Sequence, residues 1–77
     1  MSKIAIQTVI NILADEETNL RISMKESNIK QDAYLNNMVS FPDRAGVWAD
    51  SLRKEEENFG KLLAKLEQIE KLQKMIT

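Results

Sequence analysis

Two runs of carboxylates, Asp15-Glu16-Glu17 and Glu55-Glu56-Glu57, are where side-chain types first suggest chemistry. Carboxylates can share a proton or hold a cation, but only when they converge on one point. Consecutive residues of a helix instead diverge by about 100° each, so these runs spread over different faces. The usual collaborators are also missing. The chain has no His and no Cys. It therefore offers no acid–base group titrating near neutrality, no thiol nucleophile, and no Glu-x-x-His pair of the kind that builds helical di-metal sites. Its two glycines, Gly46 and Gly60, are isolated and form no phosphate-binding loop. The runs read as solvated faces, and the chain as a non-enzyme needing no cofactor, metal or small-molecule substrate.

Glu55 differs from its neighbours because it falls in an apolar repeat. From Ala45 to Ile76 core positions recur with 3-4 spacing. One set holds Ala45, Leu52, Phe59, Leu66 and Gln73, and the other Trp48, Glu55, Leu62, Ile69 and Ile76. More than four heptads with two polar intruders describe a helix that packs along its whole length against another helix. Asp50–Lys54, Glu57–Lys61, Glu67–Lys71 and Glu70–Lys74 place acid before base four residues apart on its outer face. Lys71 and Lys74 suit the C-terminal end of the helix dipole.

The sole proline, Pro42, marks the boundary before this helix. Proline disfavours helix at the preceding residue, so Phe41 leaves helical geometry. Ser40 with Asp43 three residues later resembles a capping box, with Asp43 itself as the competing N-cap. The expected division is a helix over about 3–39, a bend over about 40–44 and a helix over about 44–76, in a single domain.

The first forty residues admit two readings. In the helical one, Ile6, Val9, Ile10, Leu13, Leu20, Met24, Gln31, Leu35 and Met38 form one face, with Glu17–Arg21 and Glu26–Lys30 as further acid-first pairs. Folding back at the proline pairs position i with roughly 83 − i in an antiparallel hairpin. Ile6 then meets Ile76, Leu13 meets Ile69, Leu20 meets Leu62 and Leu63, Met24 meets Phe59, Leu35 meets Trp48, and Met38 meets Ala45. In the competing reading, Ile4, Ile6, Thr8, Ile10 and Ile12 alternate as a strand and pair with Leu20, Ile22 and Met24 in a β-hairpin. The register match favours the all-α form: an antiparallel helical hairpin that dimerises into a four-helix bundle. The alternative is an N-terminal β-hairpin followed by two helices.

In the helical register Glu55 faces Ser27 and Asn28, which with Gln31 form a polar layer in an apolar seam. Such a layer fixes register or oligomeric state, or else opens toward water or a partner. Gly60, opposite Ser23, permits a close backbone approach or a kink, or is a tolerated surface glycine. Tyr34, Phe41 and Trp48 gather at the hairpin tip, where they close the core or anchor a partner. Ile4, Ile6, Val9, Ile10, Ile12 and Leu13 surround the N-terminal helix on nearly every side, more than one partner helix covers. These nine residues are the candidate interface.

A chain of 77 residues supports a modest core, and without Cys or His the common disulfide and metal staples are not available. Self-association or a protein partner remains. Eleven basic against twelve acidic residues give a net charge of −1, which disfavours a dedicated nucleic-acid binder. No apolar run is long enough to cross a membrane, and Asn11, Asp15 and Glu16 interrupt what could start a signal peptide. A cytoplasmic setting is expected, and export without a cleaved signal is compatible with the sequence.

The leading expectation is a small protein–protein interaction module of accessory, inhibitor, chaperone or adaptor type, such as bacteria and phages use, acting through coiled-coil-like surfaces. Two alternatives belong to other classes. A two-helix hairpin with Trp48 just past the bend resembles in outline the WXG100 substrates of type VII secretion. Residues 48–50 here read Trp-Ala-Asp rather than Trp-x-Gly, and the C-terminal Tyr-x-x-x-Asp/Glu export signal is absent. A small nucleic-acid-associated regulator would use Lys25, Lys30, Arg44 and Arg53 near the tip.

Overall fold

The computed structural model describes residues 2–76. Helix α1 spans Lys3–Ser40, a 3-10 turn spans Pro42–Arg44, and helix α2 spans Ala45–Ile76. The two helices fold back on each other as an extended hairpin of 61 × 14 × 13 Å. Among the described residues there is no strand.

The β-hairpin alternative for the N-terminus is therefore overturned, and the local chemistry explains how β-branched residues are held in a helix. Ser2 caps the start, its Oγ accepting from the Ala5 N–H at 3.2 Å. Thr8 and Thr18 donate their hydroxyls to the carbonyls of Ile4 and Ala14, at 2.9 and 3.0 Å, and so find partners without leaving the helix. Gln7 donates to Asn11 at 3.0 Å across one turn. The deciding term is tertiary: Ile6, Ile10 and Leu13 lie on one helical stripe, and only a helix delivers all three to α2.

The reversal uses no positive φ and no cis peptide among the described residues. Between the helices Phe41, at φ −130° and ψ 69°, leaves helical geometry. Its N–H donates to the Asn37 carbonyl at 2.8 Å, and its own carbonyl accepts from the Arg44 N–H at 2.9 Å. The expected Ser40–Asp43 capping box does not form. Ser40 stays the last residue of α1, no side chain caps the 3-10 turn, and Pro42 at its first position needs no N–H partner.

The hairpin seam is a continuous 3-4 stripe on each helix. On α1 it runs through Ile6, Ile10, Leu13, Glu17, Leu20, Met24, Ser27, Gln31, Tyr34 and Met38, all buried or half-buried. On α2 it follows the sequence repeat from Ala45 to Ile76. The two numbers of a facing pair add to 82 at both Ser27–Glu55 and Tyr34–Trp48, close to the expected register. The partner of Trp48 differs from the expected one. Tyr34, not Leu35, meets Trp48, with ring centroids 6.1 Å apart and planes at 23°. Leu35 is one position further round the helix and 47% exposed.

Candidate interaction surface

The fully covered part of the molecule is small. Among the described residues the buried apolar side chains are Leu13, Leu66 and Ile69, close together toward the open end of the hairpin. Ser27 is the most completely enclosed residue of all, at 2% exposure. Its Oγ lies 3.5 Å from the Glu55 carbonyl, and Gln31 Nε2 donates to it at 3.4 Å. Glu55 itself is half-buried and accepts from Asn58 Nδ2 at 3.0 Å. The amide of Asn58, then Ser27 and the nearby charge of Lys30, hold its carboxyl below the ordinary range. Asn28, expected in this layer, is exposed instead. The layer is thus a small hydroxyl packed against backbone, with the charge of Glu55 turned to the rim.

A second polar cluster lies on the seam nearer the open end, where the sequence repeat marked Gln73 but not Glu17. Glu17 sits in the α1 stripe and accepts from Gln73 of α2 at 2.8 Å and from Arg21 at 3.2 Å. Arg21 also reaches across to Glu70 at 3.4 Å. The Gln73 amide first, and Arg21 second, hold the Glu17 carboxyl below its usual range. Continuing the 3-4 spacing through polar positions would have found Glu17. Of the acid-first pairs, Glu17–Arg21 and Asp50–Lys54 close, the latter at 3.4 Å. Glu70 is drawn to Arg21 of α1.

The helices leave two lateral faces. One carries Arg21, Asn28 and Glu70, with Leu35 and Leu63, and the Arg21–Glu70 pair bridges it. The other is open. A groove of about 430 Å³ runs along it between Glu16, Leu20 and Ser23 of α1 and Lys65, Ile69 and Leu72 of α2. Toward the open end the same face continues through Val9 of α1 and Met75 and Ile76 of α2. Ile12 lies one heptad before Asn19, which also lines the groove, and so shares this face. Ile12, Leu72 and Met75 are 51%, 46% and 76% exposed.

The nine candidate interface residues separate under this geometry. Leu13 is buried in the seam, with Ile6 and Ile10 half-buried beside it. Val9 and Ile12 belong to the open lateral face. Ile4 is 81% exposed on another side of α1 and does not join that strip. Tyr34 and Trp48 are stacked and half-buried, and Trp48 Nε1 is buried without a protein acceptor. Phe41 is half-exposed at the tip beside exposed Val39 and Val47. Sequence reasoning missed Leu72 and Met75, which fall off the core repeat; their signal was an apolar residue beside the seam at the end opposite the tip. Gly60 is open on its outer side, a Cβ there meeting nothing within 4 Å, so it serves no close approach.

Two of the four basic residues named near the tip lie against carboxylates. Arg53 is held by Asp50 at 2.6 Å, and Lys30 lies beside Glu55. Among the described residues no cluster of three carboxylates is placed to share a cation, and no helix is long and apolar enough to cross a membrane. Comparison with protein families, with curated proteins and with solved structures returns no match to this chain.

Proposed function

We propose that the protein is a non-enzymatic protein–protein interaction module whose hairpin is completed by further helices, in the simplest form those of a second hairpin in a four-helix bundle. One observation carries this reading. Eleven large apolar side chains are exposed among the described residues against three that are buried. Scattered apolar residues are ordinary on a surface, but Val9, Ile12, Leu72 and Met75 line one face at one end. That arrangement fits a surface built for other helices, of the kind an accessory, inhibitor, chaperone or adaptor protein uses.

The test is to make the strip polar with Ile12→Gln and Leu72→Gln together and follow helicity, melting temperature and mass. An interaction surface predicts a hairpin that remains helical, with its melting change confined to the loss of association. A melting temperature that falls as far as it does for a seam truncation, at concentrations where the wild type is monomeric, overturns the reading: the strip would then be part of the hairpin's own core.

A further inference from the structure

The open lateral face carries a charge pattern as well as an apolar end. On α1 its outer positions run Val9, Ile12, Glu16, Asn19, Ser23, Glu26 and Lys30 in 3-4 spacing. On α2 the corresponding positions are Met75, Leu72, Gln68, Lys65, Lys61, Asn58 and Lys54. The α1 edge is therefore acidic in its middle and the α2 edge basic. Asp50 engages Lys54, while Lys61 and Lys65 make no ion pair among the described residues.

We propose that this face binds a second copy of the chain about a twofold axis parallel to the helices, so that both tips lie at one end and α1 packs on the partner's α2. The inference rests on the interaction reading above and specifies its partner and geometry. Such an axis preserves height, so α1 meets the partner's α2 in the same register as its own. Val9 then lies level with the partner's Met75, and Ile12 with the partner's Leu72, which closes the apolar end. Glu16 falls within a turn of the partner's Lys65, and Glu26 lies between the partner's Lys61 and Lys54. Lys30 lies level with the partner's Lys54, the one unfavourable pair, and is offset toward Glu55 of its own chain.

The alternative twofold, perpendicular to the helices, sets α1 on α1 and α2 on α2. It confronts lysine edge with lysine edge, which like-charge repulsion disfavours. The elongated shape leaves surface for pairing. A compact monomer of 8.9 kDa exposes about 4,800 Å². This rod exposes 5960 Å², an excess of roughly 1,100 Å² over that figure. The excess exceeds the ~800 Å² each partner contributes to a standard stable interface.

The orientation is read with a nitroxide on Asp43→Cys, an exposed tip position in a chain with no other cysteine. Dipolar electron resonance on the associated protein is expected to give a tip-to-tip distance within about 30 Å, set by neighbouring helices packed 8–10 Å apart. A distance near the 61 Å length of the rod, or longer, overturns the proposal in favour of the perpendicular axis. A second measurement uses charge. Lys61→Glu with Lys65→Glu is expected to weaken association about tenfold or more, and adding Glu16→Lys with Glu26→Lys restores it. Absence of either effect overturns the pairing of α1 with the partner's α2. A wild-type chain that stays at monomer mass at every concentration overturns self-pairing altogether, whereas the broader interaction reading stands or falls on the stability of the polar-strip variant.

Discussion

The two helices carry similar shares of apolar residues and place them differently. On α2 the seam takes Trp48, Leu52, Phe59, Leu62, Leu66, Ile69 and Ile76, with Val47, Leu63, Leu72 and Met75 exposed off it. On α1 the seam yields three positions to Glu17, Ser27 and Gln31, while Ile4, Ile12, Ile22, Ile29 and Val39 stand exposed. One partner helix covers most of the α2 stripe but not Leu72 and Met75. It leaves more of α1 uncovered, where polar seam positions and exposed apolar ones are both more numerous.

The sharpest way to break this contrast is to truncate where the seam is fully closed. Leu66→Ala removes one of the three buried apolar side chains and is expected to cost about 2–5 kcal/mol by denaturant unfolding at fixed protein concentration. A loss below 1 kcal/mol would mean that the seam is not the hairpin's core. Next in size is Ser27→Leu, which puts a larger side chain in the most enclosed position and is expected to cost ~1–3 kcal/mol through overpacking. Stabilisation by this change would show that the polar layer is loosely packed.

Gly60→Ala acts in the opposite direction. With open space at the Cβ position and a helical backbone, it is expected to raise stability by ~0.5–1 kcal/mol in thermal melts. Ile22→Gln on the outer side of α1 is expected to shift hairpin stability by no more than about 0.5 kcal/mol. If it costs as much as Leu66→Ala, the outer face of α1 is structural and the contrast between the helices fails.

The smallest effect concerns Glu17. Its carboxyl is held below the unfolded value of 4.5, so its contribution is complete above that pH and is lost as the pH falls through the lower folded value. Melting temperature should therefore decline on acidification below about 4.5, and Glu17→Gln should flatten that decline. An unchanged slope in the variant would assign the acid sensitivity to Glu55 or Asp50, whose carboxyls are also lowered by their hydrogen-bond partners.

What was legible in the sequence follows the same division. The heptads from Ala45 onward locate α2 because nearly every seam position is apolar. The reversal at Pro42 is legible because proline constrains its predecessor by steric contact alone. On α1 hydrophobicity misleads: it ranks Leu35 above Tyr34, yet helical phase brings Tyr34 to Trp48. Glu17 is hidden for the same reason, since a carboxylate on a seam does not advertise itself until Gln73 and Arg21 are placed around it. The Arg21–Glu70 bridge was similarly out of reach, because spacing along one helix says nothing about a partner on the other. The lateral strip needed both helices at once, as Ile12 and Leu72 become neighbours on one face only after the chain has folded back.

The cross-helix contacts also set an order in which the hairpin closes. Tyr34 and Trp48 stack across 14 residues, Ser27 reaches the Glu55 carbonyl across 28, and Gln73 bonds Glu17 across 56. Each step doubles the loop, and each doubling adds only about 0.6 kcal/mol of closure entropy. Zipping from the tip never meets that larger cost at once, because each closed contact shortens the loop left for the next. The single tryptophan is therefore positioned to report the first closure by its fluorescence, ahead of the backbone signal from the far ends. Fraying runs the other way, and hydrogen exchange should be fastest where Val9, Ile12, Leu72 and Met75 lie. The end of the molecule that the proposed second pair of helices would cover is the end its own chain holds last.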